Sequence, residues 1–345
     1  MTEDFLIGTY TNKTSKGMYR VTLDTDAEKL VNVRLAVKMQ KPSYLQVDSQ
    51  GRVYTIKKRD DTGEKAVALY QLGETAKDAK LLCMLTHVGS SQCYLGLDEK
   101  RNLLFGANYH DGIATVFELG GEIGIDPASF VEHHGQTGPR PEQDGSHVHY
   151  VDSTPDGRVA VCDLGEDIVS IYDLSEYNQL SLVSEYHFPY GAGPRHLVFS
   201  KDGQFVYVIC ELSSELTVLK YNEHTAELTH VQTVKTIPDT WTEHNGAAAI
   251  RMTSDGRFIY TTNRGENTLA VWAVQDDGTV KHVQSISSEG DFPRDFNFSK
   301  DEHYLVSSNQ ETDDLVLYRR NPETGELTLL QKGVACPEPI CVQRY

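Results

Sequence analysis

The sequence lacks the features that mark membrane proteins, nucleic-acid-binding proteins and disulfide-stabilised proteins. Its 345 residues contain no run that approaches about 18 apolar residues, so we expect no transmembrane helix. The 32 Lys and Arg are outnumbered by 50 Asp and Glu, and a net charge of −18 lacks the broad basic surface that nucleic acids require. None of the six cysteines forms a C-x-x-C pair, and the first residues, Met1 to Asp4, lack the basic and apolar segments of a secretory signal. We therefore expect a cytoplasmic protein without nucleic-acid or membrane partners.

The sequence does contain an internal repeat with a period of roughly 50 residues, which is typical of propeller blades. Each unit has a short apolar strand, a turn with Asp or Gly, a longer β-rich strand, a polar turn and another alternating strand. A fourth strand follows, such as ELTHVQTV from Glu227. The six complete units begin at Pro42, Gln92, His147, Pro194, Gly246 and Phe292.

The two ends of the chain supply a seventh unit. PEPICVQRY from Pro337 matches the first strand of a repeat, and the segments from Phe5 and Glu28 match the second, third and fourth. We therefore predict one all-β domain over residues 1–345, a seven-bladed β-propeller with four antiparallel strands per blade. One C-terminal strand joins three N-terminal strands, which leaves no open sheet edge. A β-solenoid has shorter coils, and two β-sandwiches would not repeat along the whole chain. The WD40 signature is absent.

Two motifs place polar side chains at the start of a repeat. His147 and His149 are two residues apart, so they share one face of a strand. The next repeat begins Gly191-Ala192-Gly193-Pro194-Arg195-His196, a rigid turn that delivers an arginine into the first strand. An H-x-H pair can begin a metal site, but no third ligand stands at a telling spacing, so we expect no metal.

Two charged residues follow buried second strands in adjacent repeats. Glu211 comes after the apolar run 205–210, and Arg264 holds the matching place one repeat later. A charge at the end of a buried strand is costly unless it is paired or hydrated, so we expect Arg195, Glu211 and Arg264 to cluster with a histidine. Arginine binds carboxylate or phosphate and stabilises an oxyanion, and a neutral histidine takes a proton from water. The cluster therefore suits an anionic substrate with a carbonyl group.

Each of these residues also has a purely structural interpretation. Arg195 and Arg294 both follow a proline, and either can pair with an aspartate of a blade turn. Glu211 and Arg264 can form one buried ion pair that joins two blades. His147 is better explained as a structural histidine with hydrogen-bonded ring nitrogens than as a catalytic residue.

Several motifs together carry a resemblance to a known family. They are Gly8-Thr9-Tyr10-Thr11, the Gly191–His196 turn, Cys210-Glu211-Leu212, the run from Ser254 to Tyr260, Pro293-Arg294-Asp295-Phe296 and Ser308-Asn309-Gln310. This combination resembles the seven-bladed propeller lactonase family along the full chain. The family includes the propeller-type 6-phosphogluconolactonases of bacteria and the fungal carboxymuconate-lactonizing enzymes.

The resemblance implies a hydrolase that opens a small anionic sugar lactone without a cofactor. The expected reaction converts 6-phosphogluconolactone to 6-phosphogluconate in the pentose phosphate pathway. The implied catalytic residues are His149, Arg195, Glu211 and Arg264, and the expected substrate contacts are His147, His196, Asn263, Asn309 and Gln310. Two alternatives stay open: a cycloisomerase that closes a lactone from a muconate-like diacid, and a binding propeller without catalysis.

We expect the longest loops at 120–143 and 238–245 to form a rim over the mouth of the channel. Candidate rim residues are Tyr109, Trp241 and His244. The sequence does not decide between a monomer and a dimer.

Overall fold

Seven four-stranded antiparallel sheets make up the structure, a computed structural model that describes residues 1–87, 89–120 and 124–345. Each sheet is one blade of a propeller, which confirms the predicted fold class. Within the described residues the sheets contain 28 strands, and the helical elements consist of one 3₁₀ turn, Pro141–Gln143. None of these residues belongs to a helix that is long and apolar enough to cross a membrane.

The strands occur in a regular order along the chain. The first fifteen are β1 (Thr2–Thr9), β2 (Gly17–Asp24), β3 (Lys29–Lys38), β4 (Leu45–Val47), β5 (Arg52–Lys58), β6 (Lys65–Gln71), β7 (Lys80–His87), β8 (Tyr94–Asp98), β9 (Leu103–Asn108), β10 (Ile113–Glu118), β11 (Asp126–Glu132), β12 (Val148–Ser153), β13 (Val159–Asp163), β14 (Ile168–Leu174) and β15 (Leu180–His187). The others are β16 (Pro194–Phe199), β17 (Phe205–Cys210), β18 (Glu215–Tyr221), β19 (Leu228–Lys235), β20 (Gly246–Met252), β21 (Phe258–Arg264), β22 (Thr268–Val274), β23 (Val280–Ser287), β24 (Pro293–Phe298), β25 (Tyr304–Asn309), β26 (Asp314–Arg320), β27 (Leu327–Ala335) and β28 (Pro339–Arg344).

The ring closes as the sequence predicts. Blade 1 has the strand order β28-β1-β2-β3, and blades 2 to 7 take the following strands four at a time. The last strand pairs antiparallel with the first, and Phe5 lies opposite Arg344 while Gly8 lies opposite Cys341. Closure satisfies the edge of β1, which would otherwise present unpaired N–H and C=O groups.

The hydrophobic core lies in the seams between neighbouring blades. Second strands such as β17 are buried along nearly their whole length, because a blade packs against each of their faces. Outermost strands such as β15 alternate between exposed and partly buried residues. Between blades 7 and 1, Phe5, Val21, Val306 and Leu317 are all fully buried in one cluster. Burying each such side chain contributes about 1.5–3 kcal/mol.

The expected loop at 120–143 is wrong over Asp126–Glu132, which forms β11, the outermost strand of blade 3. The segment DPASFVE does not indicate a strand in the sequence, because it contains a proline. Edge strands nevertheless tolerate proline. Residues 121–123 of this expected loop lie outside the described residues. The other expected loop, 238–245, contains no strand or helix.

Candidate active site

Three innermost strands carry a β-bulge at the second residue of the strand. The register skips His149 in β12, Arg195 in β16 and Arg294 in β24, so the neighbouring strand has no residue opposite them. A bulge bends the strand and redirects the extra side chain. All three side chains line one cavity of about 420 Å³ at an end of the central channel.

A buried carboxylate fixes the turn that leads into Arg195. Asp167 accepts hydrogen bonds from the backbone N–H groups of Gly191 and Gly193, both at 2.7 Å. Gly193 has φ +64°, and a Cβ there would lie 2.6 Å from Cγ of Leu212. The turn therefore requires glycine for both its conformation and its packing.

Glu211 and Arg264 come from the ends of neighbouring second strands and meet in the same cavity. Glu211 follows β17, and its Oε2 accepts a hydrogen bond from Arg264 Nη2 at 2.8 Å. Arg264 Nε also donates to the carbonyl oxygen of Gly246 at 3.0 Å. Burial opposes ionisation of Glu211, but Arg264 and Arg195 overcome it and hold the pKa of this carboxyl below its usual value. Glu211 is therefore a carboxylate at neutral pH.

Arg195 is buried beside the same carboxylate. Its Nε lies 2.9 Å from Glu211 Oε2, although the N–H is not aligned for a hydrogen bond. Its Nη1 donates to the carbonyl oxygen of Ala248 at 2.6 Å. Burial, and then the neighbouring Arg264, lower the pKa of Arg195 to about 10, which leaves the guanidinium charged at neutral pH. The structure thus brings Arg195, Glu211 and Arg264 together as one charged cluster.

Arg294 is a cavity arginine that the sequence analysis did not place in the site. It occupies in blade 7 the position of Arg195 in blade 5, and Gln310 holds the position of Glu211. Arg294 Nη1 donates to Gln310 Oε1 at 3.2 Å, and its guanidinium lies 5.5 Å from the ring centre of Tyr10. An amide thus replaces the carboxylate, and no ion pair neutralises Arg294 within the described residues. The shared Pro-Arg dipeptide was the signal for this equivalence.

Two histidines lie side by side at the floor of the cavity. His149 Nδ1 is 3.2 Å from His196 Nε2. Burial, and then the nearby Arg195, hold the pKa of both imidazoles well below the usual value. Both rings are therefore neutral at neutral pH. The ring of His196 also contacts the rings of Tyr94 and Tyr150.

Three of the expected substrate contacts do not line the cavity. His147 stacks on Tyr109 at 4.2 Å, and its two ring nitrogens contact Tyr109 O and Asp144 Oδ1, both at 2.8 Å. Asn263 accepts from the Thr236 hydroxyl and donates back to the Thr236 carbonyl oxygen. Asn309 is fully buried at the end of β25. Their side chains instead hold the backbone of neighbouring segments.

The expected rim residues also differ in whether they line the cavity. Tyr109 lines the cavity, whereas Trp241 and His244 do not. Gln310, a fourth expected substrate contact, does not line the cavity either, but its Oε1 accepts a hydrogen bond from Arg294, which does. Among the described residues, neither member of the H-x-H pair belongs to a group of three potential metal ligands.

A larger cavity of about 620 Å³ is lined by other ends of the inner strands. Tyr44, His196 and Asp295 line both cavities, so these side chains divide the channel into two chambers. The larger chamber contains Asp152, whose carboxyl pKa burial raises to about 6. Its two arginines are Arg344 and Arg251, and Arg251 lies 3.3 Å from Asp295. Arg294 and His149 line the smaller chamber and not the larger one.

Comparison with known proteins agrees with this architecture. Residues 4–344 match the family model described as Lactonase, 7-bladed beta-propeller. A 6-phosphogluconolactonase of Bacillus subtilis is 38% identical over 341 residues, which cover 98% of this chain and 97% of the relative. A crystal structure of a Lactobacillus plantarum protein is 47% identical, with a TM-score of 0.96 and full coverage of both chains. The periplasmic gluconolactonase of Pseudomonas aeruginosa is 27% identical, with a TM-score of 0.91 over 100% of this chain and 99% of that one. This chain belongs to the seven-bladed β-propeller lactonase family.

Proposed function

We propose that the protein hydrolyses the ring ester of 6-phosphogluconolactone to give 6-phosphogluconate. The observation that carries the proposal is the composition of the smaller cavity, where three arginines and a neutral histidine surround one glutamate. The 38% identical relative from Bacillus subtilis, a 6-phosphogluconolactonase, supports this choice of substrate.

The charge of the cavity favours an anionic sugar. Lys41, Arg195, Arg264 and Arg294 against Glu211 leave a local charge of 4 − 1 = +3. Asp295 also lines the cavity, but it pairs with Arg251 at 3.3 Å. This local excess reverses the field of a protein with a net charge of −18, so an anion is attracted to the mouth. We assign the phosphate to Arg294, because it is the one of the three cavity arginines whose charge has no carboxylate partner in the described part of the chain.

The buried arginines suit the carbonyl end of the substrate. Arg195 Nη2 and Arg264 Nη1 donate no hydrogen bond within the described residues. Glu211 Oε2 contacts both guanidinium groups, so these donors are held in place before the substrate binds. Donors fixed in this way stabilise the negative charge that develops on the carbonyl oxygen when water attacks.

His149 is the group best placed to take the proton from the attacking water. Glu211 is the weaker candidate, because its Oε2 already contacts Arg264 Nη2 at 2.8 Å and Arg195 Nε at 2.9 Å. For His149 to act as a base, its Nδ1–H must donate to His196 Nε2, which leaves the Nε2 lone pair free. The same nitrogen then returns the proton to the ring oxygen as the ester C–O bond breaks.

Substrate binding adjusts the basicity of His149. Burial makes the largest contribution to its low pKa, and the charges of Arg195 and Arg294 follow. A bound phosphate or a developing oxyanion offsets these positive charges, so the pKa of His149 rises when the substrate is in place. The base is therefore strengthened at the step where it is needed.

A coupled assay tests the proposal. Freshly prepared 6-phosphogluconolactone is given to the purified protein, and 6-phosphogluconate is followed through its dehydrogenase against the spontaneous rate. We expect clear acceleration, with a loss of about 10²-fold or more in His149→Ala because general base catalysis contributes at least that much. Arg264→Ala removes an anchor of Glu211 and a free donor, and we expect a loss of similar size.

Matched control variants distinguish loss of the site's chemistry from general loss of folding. His224→Ala and Arg257→Ala remove exposed or half-exposed side chains outside the cavity and should retain full activity. A rate at the spontaneous level in the parent protein would overturn the proposal. Conversion of a muconate-like diacid by the same preparation would then assign the site to cycloisomerisation.

A further inference from the structure

A second cluster of titratable side chains lies where blade 3 meets blade 4. His133 follows β11, Asp163 ends β13, and Glu166 lies in the turn before β14. All three residues are buried, and one potential ligand atom from each lies within 4.8 Å of the other two. His133 and Glu166 also line a cavity of about 630 Å³ that shares no lining residue with the active-site cavity.

His133 and Asp163 are each anchored through one polar atom and face each other through another. His133 Nε2 lies 2.9 Å from the Tyr172 hydroxyl, while its Nδ1 lies 2.9 Å from Asp163 Oδ2. Asp163 Oδ1 accepts three backbone N–H groups, those of His147, Gly165 and Glu166, at 2.7–3.0 Å. Protein ligands of metal ions are commonly oriented by outer hydrogen bonds of this kind.

Glu166 is likewise held through one of its two carboxylate oxygens. Its Oε1 accepts the N–H of Gly135 at 2.6 Å and the hydroxyl of Ser146. Its Oε2 accepts no hydrogen bond within the described residues, although the residue is only 8% exposed. Glu166 lines the same cavity, so a carboxylate that is more than nine-tenths buried keeps one oxygen without a hydrogen-bond partner among the described residues.

The charges of the cluster call for a cation. Asp163, Glu166 and the adjacent Asp167 are three buried carboxylates. In the described part of the chain none of them lies within 4.0 Å of a lysine or arginine nitrogen, and His133 is the ion-pair partner of Asp163. Buried carboxylates are normally paired with cations or bound to metals, because desolvation of an isolated charge is costly.

We propose that His133 Nδ1, Asp163 Oδ2 and Glu166 Oε2 bind one divalent first-row cation, with Zn²⁺ as the preferred ion. His133 Nδ1 and Asp163 Oδ2 lie 2.9 Å apart, a hydrogen-bond distance. As tetrahedral ligands of one zinc ion they would separate to about 3.4 Å, a movement of about half an ångström. The cavity supplies water for the fourth position. On binding, the imidazole proton occupies Nε2 and is donated to the Tyr172 hydroxyl, so that Nδ1 presents its lone pair.

A cation bound at this position connects two blades. It joins the segment after β11 of blade 3 to the β13–β14 turn of blade 4. Asp163, in the same unit, accepts the N–H of His147, two residues before His149. A bound ion therefore fastens the end of the strand that carries the proposed catalytic base.

Calorimetric titration of the full chain tests the site directly. Protein freed of metal with EDTA and dialysed into chelator-free buffer is titrated with ZnCl₂ and, separately, with MnCl₂. We expect one equivalent of Zn²⁺ to bind, with at least a tenfold weaker affinity in His133→Gln and in Glu166→Gln. Co²⁺ should give a visible d–d spectrum in the parent protein that both substitutions remove.

Control variants make the result of the titration decisive. Glu185→Gln changes a carboxylate that lines the same cavity outside the cluster, and His134→Gln changes the adjacent exposed histidine; both should bind Zn²⁺ as the parent does. Glu166→Gln is nearly isosteric and keeps the acceptor for Gly135, so it remains informative if His133→Gln fails to fold. The proposal is overturned if the parent shows no saturable one-to-one binding of Zn²⁺. Parent-like affinity in a folded Glu166→Gln variant overturns it as well.

Discussion

Replacing Arg294 by glutamine tests the assignment of the phosphate subsite. The substitution removes a half-buried guanidinium that has no ion pair in the described part of the chain, and it leaves the Arg195–Glu211–Arg264 cluster intact. We expect the variant to fold normally, because the interactions lost within the protein are a hydrogen bond to Gln310 and a contact with the Tyr10 ring. The effect should therefore appear in substrate binding.

The magnitude follows from the kind of contact that is lost. A hydrogen bond to a charged group contributes about 1.5–3 kcal/mol. At 1.36 kcal/mol per factor of ten, its removal should raise KM for 6-phosphogluconolactone by about 10- to 150-fold. The contact is equally strong in the ground state and the transition state, because the phosphate is remote from the reacting carbonyl. Hence kcat should change little.

The assay compares two substrates in two variants. Kinetic constants are measured for 6-phosphogluconolactone and for the unphosphorylated gluconolactone with the parent, Arg294→Gln and Arg257→Gln. Arg257 is about half exposed and lies outside the cavity, so its variant controls for the loss of one positive charge. Arg294→Gln should lose its discrimination between the substrates, and Arg257→Gln should keep it.

An equal loss on both substrates would refute the phosphate assignment, since it would place Arg294 at the carbonyl or in the fold. An unchanged KM for the phosphorylated substrate would refute it as well. A secondary readout is available because Arg294 is among the causes of the low pKa of His149. Its removal should move the acidic limb of the pH profile upward.

Three further predictions concern protonation and backbone geometry. Because burial and Arg195 keep the pKa of His149 well below 6.5, kcat/KM for unphosphorylated gluconolactone should stay level as the pH falls through 6.5; a midpoint at or above 6.5 would contradict the depressed pKa. Burial raises the pKa of Asp152 from 3.8 to about 6, so its contribution to stability is full below 3.8 and is lost as the pH rises through 6. In denaturant titrations, Asp152→Asn should exceed the parent by about 1–3 kcal/mol at about pH 8, with the gain vanishing towards about pH 4. Gly193→Ala should destabilise more than Gly333→Ala in the same titrations, because both have positive φ but only Gly193 has a side chain within 4 Å of the added methyl; equal losses would show that packing against Leu212 is unimportant.

Much of the fold follows from the sequence, because a propeller repeats one pattern. The period of roughly 50 residues and the split seventh unit determine the number of blades and the closure by β28. The exception is β11, where Pro127 and weak alternation leave a local pattern that does not resemble a strand. Its pairing with β10 is decided by the blade and not by its own residues.

The site was partly predictable for the same reason. Glu211, Arg264 and Gln310 occupy equivalent positions after or at the end of second strands, and comparison of repeats finds such positions. Asn263 and Asn309 each precede that position by one residue, and alternation along a strand directs their side chains to the other face.

The bulges limited what the sequence could show. An extra residue in an inner strand changes which side chains face the cavity, and periodicity alone does not reveal it. Arg294 was consequently interpreted as a possible partner for a turn aspartate. The shared Pro-Arg dipeptide relates it to Arg195, but the register of β24 is needed to show that its side chain lines the cavity.

The pairing of β28 with β1 has a consequence for the timing of folding. These strands are neighbours in blade 1 but lie near opposite ends of the described chain, so β1 emerges from the ribosome long before its partner. At about 5–20 residues per second, synthesis of the intervening chain takes roughly 15–70 s. Throughout that interval β1 exposes an edge that other chains can pair with. Ile340 of β28 also lines the smaller cavity, so a nascent chain cannot complete its site before this strand is made. Slow codons near the end of the message would lengthen the vulnerable period, and a chaperone that shields β1 would shorten it.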